Sequence, residues 1–133
     1  MRIIGIDLGE RRIGVAAADD RTGVAVPVDT VEAGDDVVQT VAQIALDQRA
    51  DEVVVGLPLS MSGAVGPQAE GVLKVVDELR EKLSITVHTW DERLTTVQAG
   101  RGGGGRSRSG ATSRDALAAA ILLQTFIDSR RSV

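Results

Sequence analysis

Residues 52–56, Glu-Val-Val-Val-Gly, hold three consecutive valines and are stopped by Leu57-Pro58. A strand with no polar side is buried on both faces, which places it inside a sheet layered by helices. The flanking patterns fit that frame. Residues 2–8, with Ile3, Ile4, Ile6 and Leu8, and residues 12–18, with Ile13, Val15 and Ala17, read as two strands joined by a tight turn at Gly9-Glu10-Arg11. Val24 to Val31 is a third extended stretch, and Pro27 within it lacks an amide, so it belongs on a sheet edge or at a bulge. From Asp35 the period turns helical, with Val37, Val41, Ile44, Ala45 and Gln48 on one stripe of a helix of about fourteen residues. Asp35 and Asp36 lie at the positive end of its dipole. Pro67 opens a second helix with the stripe Val72, Leu73, Val76, Leu79, Arg80 and Leu83. Residues 85–90 alternate as another strand, ended by Asp91-Glu92. A short helical segment from Leu94 to Ala99 stops at Gly100, and Ser113 to Asp128, apolar on most sides, predicts a largely buried helix. The order implies an α/β fold with a mixed five-stranded sheet, three antiparallel strands followed by crossover strands, and helices on both faces.

The 133 residues fit one domain, 1–133, with a Gly/Arg loop at about 100–112 that is flexible by composition. There is no cysteine, so disulfides, thiolate metal sites and cysteine nucleophiles are excluded, and the one histidine, His88, removes multi-histidine zinc sites. The longest late apolar run, Ala116 to Leu123, is far short of the ~20 residues that span a bilayer. A cytoplasmic protein with no membrane partner is the simplest reading. The net charge is −4, yet Arg101, Arg106, Arg108 and Arg114 fall in a stretch without a single acid, leaving eleven basic against nineteen acidic residues elsewhere. A positive loop is attached to an acidic body. With Trp90 and Phe126 as the only aromatics, stacking of single-stranded bases is poorly supported.

Acids end the apolar elements. Asp7 ends the first strand, Glu92 with Asp91 ends the fifth, and Asp115 opens the last helix. In this topology the three positions can converge at one edge of the fold. Carboxylates within about 5 Å repel by roughly 3 kcal/mol per pair at an effective dielectric near 20, so they must protonate or bind a cation. Oxygen-only donors suit Mg²⁺ or Mn²⁺, and two ions about 3.5 to 4 Å apart suit in-line hydrolysis of a phosphodiester. Taken singly, each acid has an ordinary structural reading: Asp7 shapes the hairpin before Gly9, and Asp115 complements a helix dipole. Of Asp91 and Glu92 only one can face the site, and the other pairs with Arg93 or sits in solvent. The argument rests on the set.

Four blocks sharpen it. Gly5-Ile6-Asp7-Leu8-Gly9-Glu10-Arg11-Arg12-Ile13-Gly14-Val15-Ala16, Val55-Gly56-Leu57-Pro58-Leu59-Ser60-Met61-Ser62-Gly63, Asp91-Glu92-Arg93-Leu94-Thr95-Thr96 and Asp115-Ala116-Leu117-Ala118-Ala119-Ala120-Ile121-Leu122-Leu123-Gln124 resemble, in order, the signature blocks of the YqgF/RuvX family. The resemblance implies an RNase H-like fold and a bacterial cytoplasmic nuclease, either a pre-16S rRNA processing enzyme or a Holliday junction resolvase. It also implies metal-binding catalytic acids at Asp7, Glu92 and Asp115. The chain departs from the family where a lysine-rich stretch is usual, since Gly102 to Gly105, Arg106, Arg108 and Arg114 stand there instead.

The expected partner is structured RNA or branched DNA, with Arg11, Arg93, Arg101, Arg106, Arg108 and Arg114 as candidate phosphate contacts. Gly9, Gly56, Thr95 and Thr96 are candidate supporting residues, the glycines by letting backbone come close and the threonines by orienting Glu92, contacting phosphate or capping a helix. Junction resolution requires paired nicks, which favours a homodimer. Two other classes compete. Asp7-Leu8-Gly9 also resembles the phosphate motif of actin-like ATPases and sugar kinases, which need two such domains, and a non-catalytic nucleic-acid interaction module is the third reading.

Overall fold

The computed structural model describes residues 1–95 and 111–131. Its strands are β1 (Arg2–Leu8), β2 (Arg12–Asp19), β3 (Val24–Glu32), β4 (Glu52–Leu57) and β5 (Thr86–Asp91), lying side by side in the order β3-β2-β1-β4-β5. β1, β2 and β3 are antiparallel, whereas β4 and β5 run parallel to β1. The helices are α1 (Val37–Asp47), α2 (Pro67–Lys82) and α3 (Ala111–Arg131), and a 3-10 turn, Glu92–Thr95, follows β5. This is the mixed five-stranded sheet that the sequence implies.

The alternation of side chains along each strand divides the core in two. Ile4, Ile6, Ile13, Val15, Val53, Val55 and Val87 face α1 and α2, meeting Val41, Ile44, Val72, Val76 and Leu79. Ile3, Ala16, Ala18 and Val54 face the other way, against Ala119, Leu123, Phe126 and Ile127 of α3. β4 is buried on both faces, as its three consecutive valines require. Pro27 satisfies both of its expected roles, because β3 is the edge strand and its register with β2 slips between Val15 and Ala16, next to Pro27.

The helix boundaries differ from the sequence reading. α1 has eleven residues: the Asp36 side chain caps it by accepting from the Gln39 amide at 3.0 Å, and Gln48 is the cap at its other end rather than a member of the stripe. α3 begins at Ala111 and ends at Arg131. Asp115 therefore projects from inside the helix rather than opening it. Nor is α3 buried all round, since Leu117, Ala118 and Ile121 are only partly covered: one side packs on the sheet and the opposite flank has no layer above it among the described residues. The expected helical segment at 94–99 is a 3-10 turn up to Thr95, and its remainder lies outside the described residues. No helix among the described residues is long and apolar enough to cross a membrane.

Two glycines set how closely α3 rides on the sheet. A Cβ on Gly5 would stand 2.9 Å from Leu123 Cβ and 3.1 Å from the Ala119 carbonyl oxygen, and a Cβ on Gly14 would run into the Asp115 carbonyl. Glycine inside a strand marks close backbone approach. Polar ties then fix the helix lengthwise. Gln124 accepts from the Ala25 amide at 2.9 Å and donates to the Gly23 carbonyl at 2.8 Å, the Trp90 indole donates to Thr125 Oγ1 at 2.9 Å, and Arg130 reaches Glu52 at 2.6 Å. Gly14→Ala should lower stability by about 1–3 kcal/mol, the usual cost of forcing a methyl into a packed interior, as read from denaturant unfolding. An unchanged midpoint would show that α3 does not lie this low.

Candidate active site

Asp7 is the seventh residue of the chain and points to the α3 face, two positions beyond Gly5. Its partner on β2 is Gly14. On the other side Ile6 pairs with Val55, so Gly56 is the next residue along β4 and shares the face of Val54 and Asp7. Asp7 thus lies between two residues without side chains. The space above them is used by the other acids. A Cβ on Gly56 would stand 2.5 Å from Glu92 Oε2 and 3.1 Å from its Cδ, so the Glu92 carboxyl occupies the room that glycine leaves. On the opposite side, the absence of a Cβ at Gly14 admits the main chain of α3 at Asp115.

The electrostatics follow from that packing. Burial, reinforced by the Asp115 charge, pushes the Asp7 carboxyl above the ordinary carboxylate range, and a hydrogen bond with Glu92 offsets part of the rise. Glu92 is pushed up to about 7 by burial, by the Asp7 charge and by that same hydrogen bond. Of the two, Glu92 is the carboxyl that holds a proton more readily. Asp115 is compensated differently: Arg12 Nε lies 3.1 Å from Asp115 Oδ2, an ion pair without hydrogen-bond alignment, so this buried oxygen has no hydrogen bond among the described residues. Arg12 offsets part of the charge of the three acids, which do not close into a group of three that could hold a metal ion as it stands. Their donor chemistry still fits one. Anionic oxygen, one atom of it buried without a hydrogen bond, is what a hard divalent cation requires.

The neighbouring residues sort by what they touch. Asp91 and Glu92 divide as strand geometry demands. Arg93 donates to Asp91 from Nε and Nη2, the latter at 2.7 Å, and from Nη1 to the Met61 carbonyl at 3.1 Å. Its side chain ties the loop after β4 to the segment carrying Glu92, and those donors are spent within the protein. Arg11 is exposed in the β1–β2 turn and Arg114 is exposed on α3. Gly9 shapes that turn, its amide donating to the Arg12 carbonyl at 2.9 Å. Thr95 closes the 3-10 turn. Thr96, Arg101, Arg106 and Arg108 lie outside the described residues. Sequence reasoning missed Gly5 and Gly14, which a glycine within a strand pattern signals, and Arg12, which shares the face of Gly14 two positions on.

A mixed five-stranded sheet in the order β3-β2-β1-β4-β5, with α1 and α2 on one face and α3 on the other, defines an α/β architecture. Thermus thermophilus RuvC in complex with Holliday junction substrate has the same fold: TM-score 0.62 at 18% identity, over 98% of this chain and 96% of that one. The fowlpox virus Holliday junction resolvase matches at TM-score 0.63 and 11% identity, over 98% and 99%. A relative from Caldanaerobacter subterraneus subsp. tengcongensis, named "Putative pre-16S rRNA nuclease", is 41% identical over 99% of each chain. Residues 1–129 match the family model described as "RuvX: Holliday junction resolvase", and the chain belongs to that family.

Both raised carboxyls make protonation, and hence stability, depend on pH. Folded Glu92 keeps a proton that the unfolded chain, with its ordinary value of 4.5, has released. Its stabilising contribution is therefore full below about 4.5 and lost as pH rises through about 7, and raised Asp7 acts in the same direction. Glu92→Gln should remove most of this loss, so that in EDTA the variant gains on wild type as pH rises from 4.5 to 8. Chemical unfolding across that range measures the difference, and a constant difference would place Glu92 in an ordinary solvated setting.

Proposed function

We propose that the protein is a divalent-cation-dependent endonuclease that hydrolyses phosphodiester bonds in structured nucleic acid, with 5′-end processing of the 16S rRNA precursor as its task. The observation that carries this reading is the packing of Glu92 against Asp7 in the room above Gly56, with Asp115 brought to the same face over Gly14 and acting on Asp7 through its charge. The relatives' printed name supports the rRNA substrate. Asp7, Glu92 and Asp115 would hold Mg²⁺ or Mn²⁺, which when bound supplies charge neutralisation for an in-line attack of water on phosphorus. This chain's own residues do the rest. Asp7 is fixed by the β1–β2 and β1–β4 pairing, Glu92 by the Gly56 recess and the Arg93 tether, and Asp115 by the seating of α3. Glu92 would have to be deprotonated to hold a cation, and burial and the Asp7 charge push its carboxyl up to about 7. The cytoplasm is the compartment such a substrate requires.

A second reading is Holliday junction resolution, favoured by the family's description and by the fold shared with resolvases. That activity would call for a homodimer with two such sites. A cleavage assay on a precursor rRNA leader and on a four-way DNA junction, with Mg²⁺, Mn²⁺ or EDTA, separates the two readings. Wild type should cut the leader only with a divalent ion, and Asp7→Asn should stay folded and lose cleavage. Cleavage of the junction alone would favour the second reading, while full activity of Asp7→Asn or in EDTA would refute both.

A further inference from the structure

Resting on that reading, we propose that Arg12 contacts a phosphate of the nucleic-acid substrate beside Asp115. Arg12 begins β2, and alternation along the strand puts it on the face of Gly14, the face of Asp7 and α3. Its side chain is 48% exposed, enough to reach a ligand while anchored at one end. The ion pair of Nε with Asp115 is its sole polar side-chain contact among the described residues, and it forms no hydrogen bond there. Among the described residues, Nη1 and Nη2 have no hydrogen-bond or ion-pair partner. Arg93, by contrast, already commits three of its five N–H groups to Asp91 and Met61.

The chemistry of this corner favours a phosphodiester. An arginine fork matches two phosphate oxygens, and Asp115 behind it holds the guanidinium in place without aligned hydrogen bonds that would have to be broken. A cation arriving at the acids would take over the neutralisation of Asp115, and Arg12 would then be released to serve the phosphate fully. Binding and cation loading would thus support one another. RNA and DNA present the same phosphodiester, so both sources are probed.

The test is binding of the full chain to a precursor rRNA leader and to a four-way DNA junction across a NaCl series in EDTA, where the proposed cleavage is silent. Each phosphate contact contributes about 0.9 to the slope of log affinity against log salt on duplex DNA and about 0.7 on single strands. Arg12→Gln should weaken binding several-fold and lower that slope by about one contact's worth, and Arg12→Lys should keep the slope while losing part of the affinity. Arg21→Gln, which removes an exposed charge paired with Asp19 at the far end of β2, should leave the slope as in wild type. An unchanged slope in Arg12→Gln, or an equal loss in Arg21→Gln, would overturn the assignment while leaving the nuclease reading intact. Failure of wild type to bind either nucleic acid would overturn both.

Discussion

Asp7 stands on the central antiparallel pair with glycine on each side, and the site is arranged around that gap. Side chains at positions 14 and 56 would have filled the space and left Asp7 an isolated half-buried acid. Their absence instead draws in two more acids, one on a helix and one on a turn. Two carboxylates at about 5 Å repel by roughly 3 kcal/mol, which is a sizeable part of the 5–15 kcal/mol that holds a domain together. Such a cluster persists only if its charge is balanced. The raised carboxyls of Asp7 and Glu92, which hold protons more readily than ordinary acids, and the guanidinium of Arg12 provide that balance. A cation would take over that role.

Contacts far from the acids keep them in place. α3 reaches β3 through Gln124, β5 through Trp90 and Thr125, and β4 through Arg130 and Glu52, so it cannot slide along the sheet without breaking several of them. Phe126 lies edge-on to Trp90 with ring centroids 5.5 Å apart, a geometry worth about 0.5–1.5 kcal/mol beyond its buried area. The seating of Asp115 is therefore inherited from the packing of the last helix as a whole. Arg93 does the corresponding work for Glu92, holding the turn after β5 against the loop after β4.

The strands were legible because their signals are local: alternation in residues 12–18, three valines in a row in β4, and a proline on the edge. Helix ends were less so. Ser113 and Asp115 look like the start of a helix, but the chain is already helical at Ala111. The division of labour between Asp91 and Glu92 could be read from the alternation of strand faces. The commitment of Arg93 to Met61 could not, because it depends on a loop thirty-two positions away. A glycine within a strand pattern signals a close approach at position 14, but that the approaching group is the backbone of residue 115 is not legible in the sequence.

The most direct measurement is a Mn²⁺ titration of the protein followed by paramagnetic broadening of its backbone amide resonances. The account predicts broadening centred on residues 7, 92 and 115, saturable, displaced by excess Mg²⁺ and lost in Asp7→Asn. Broadening centred on another acidic stretch, such as Asp35-Asp36, or an unchanged response in Asp7→Asn, would contradict it.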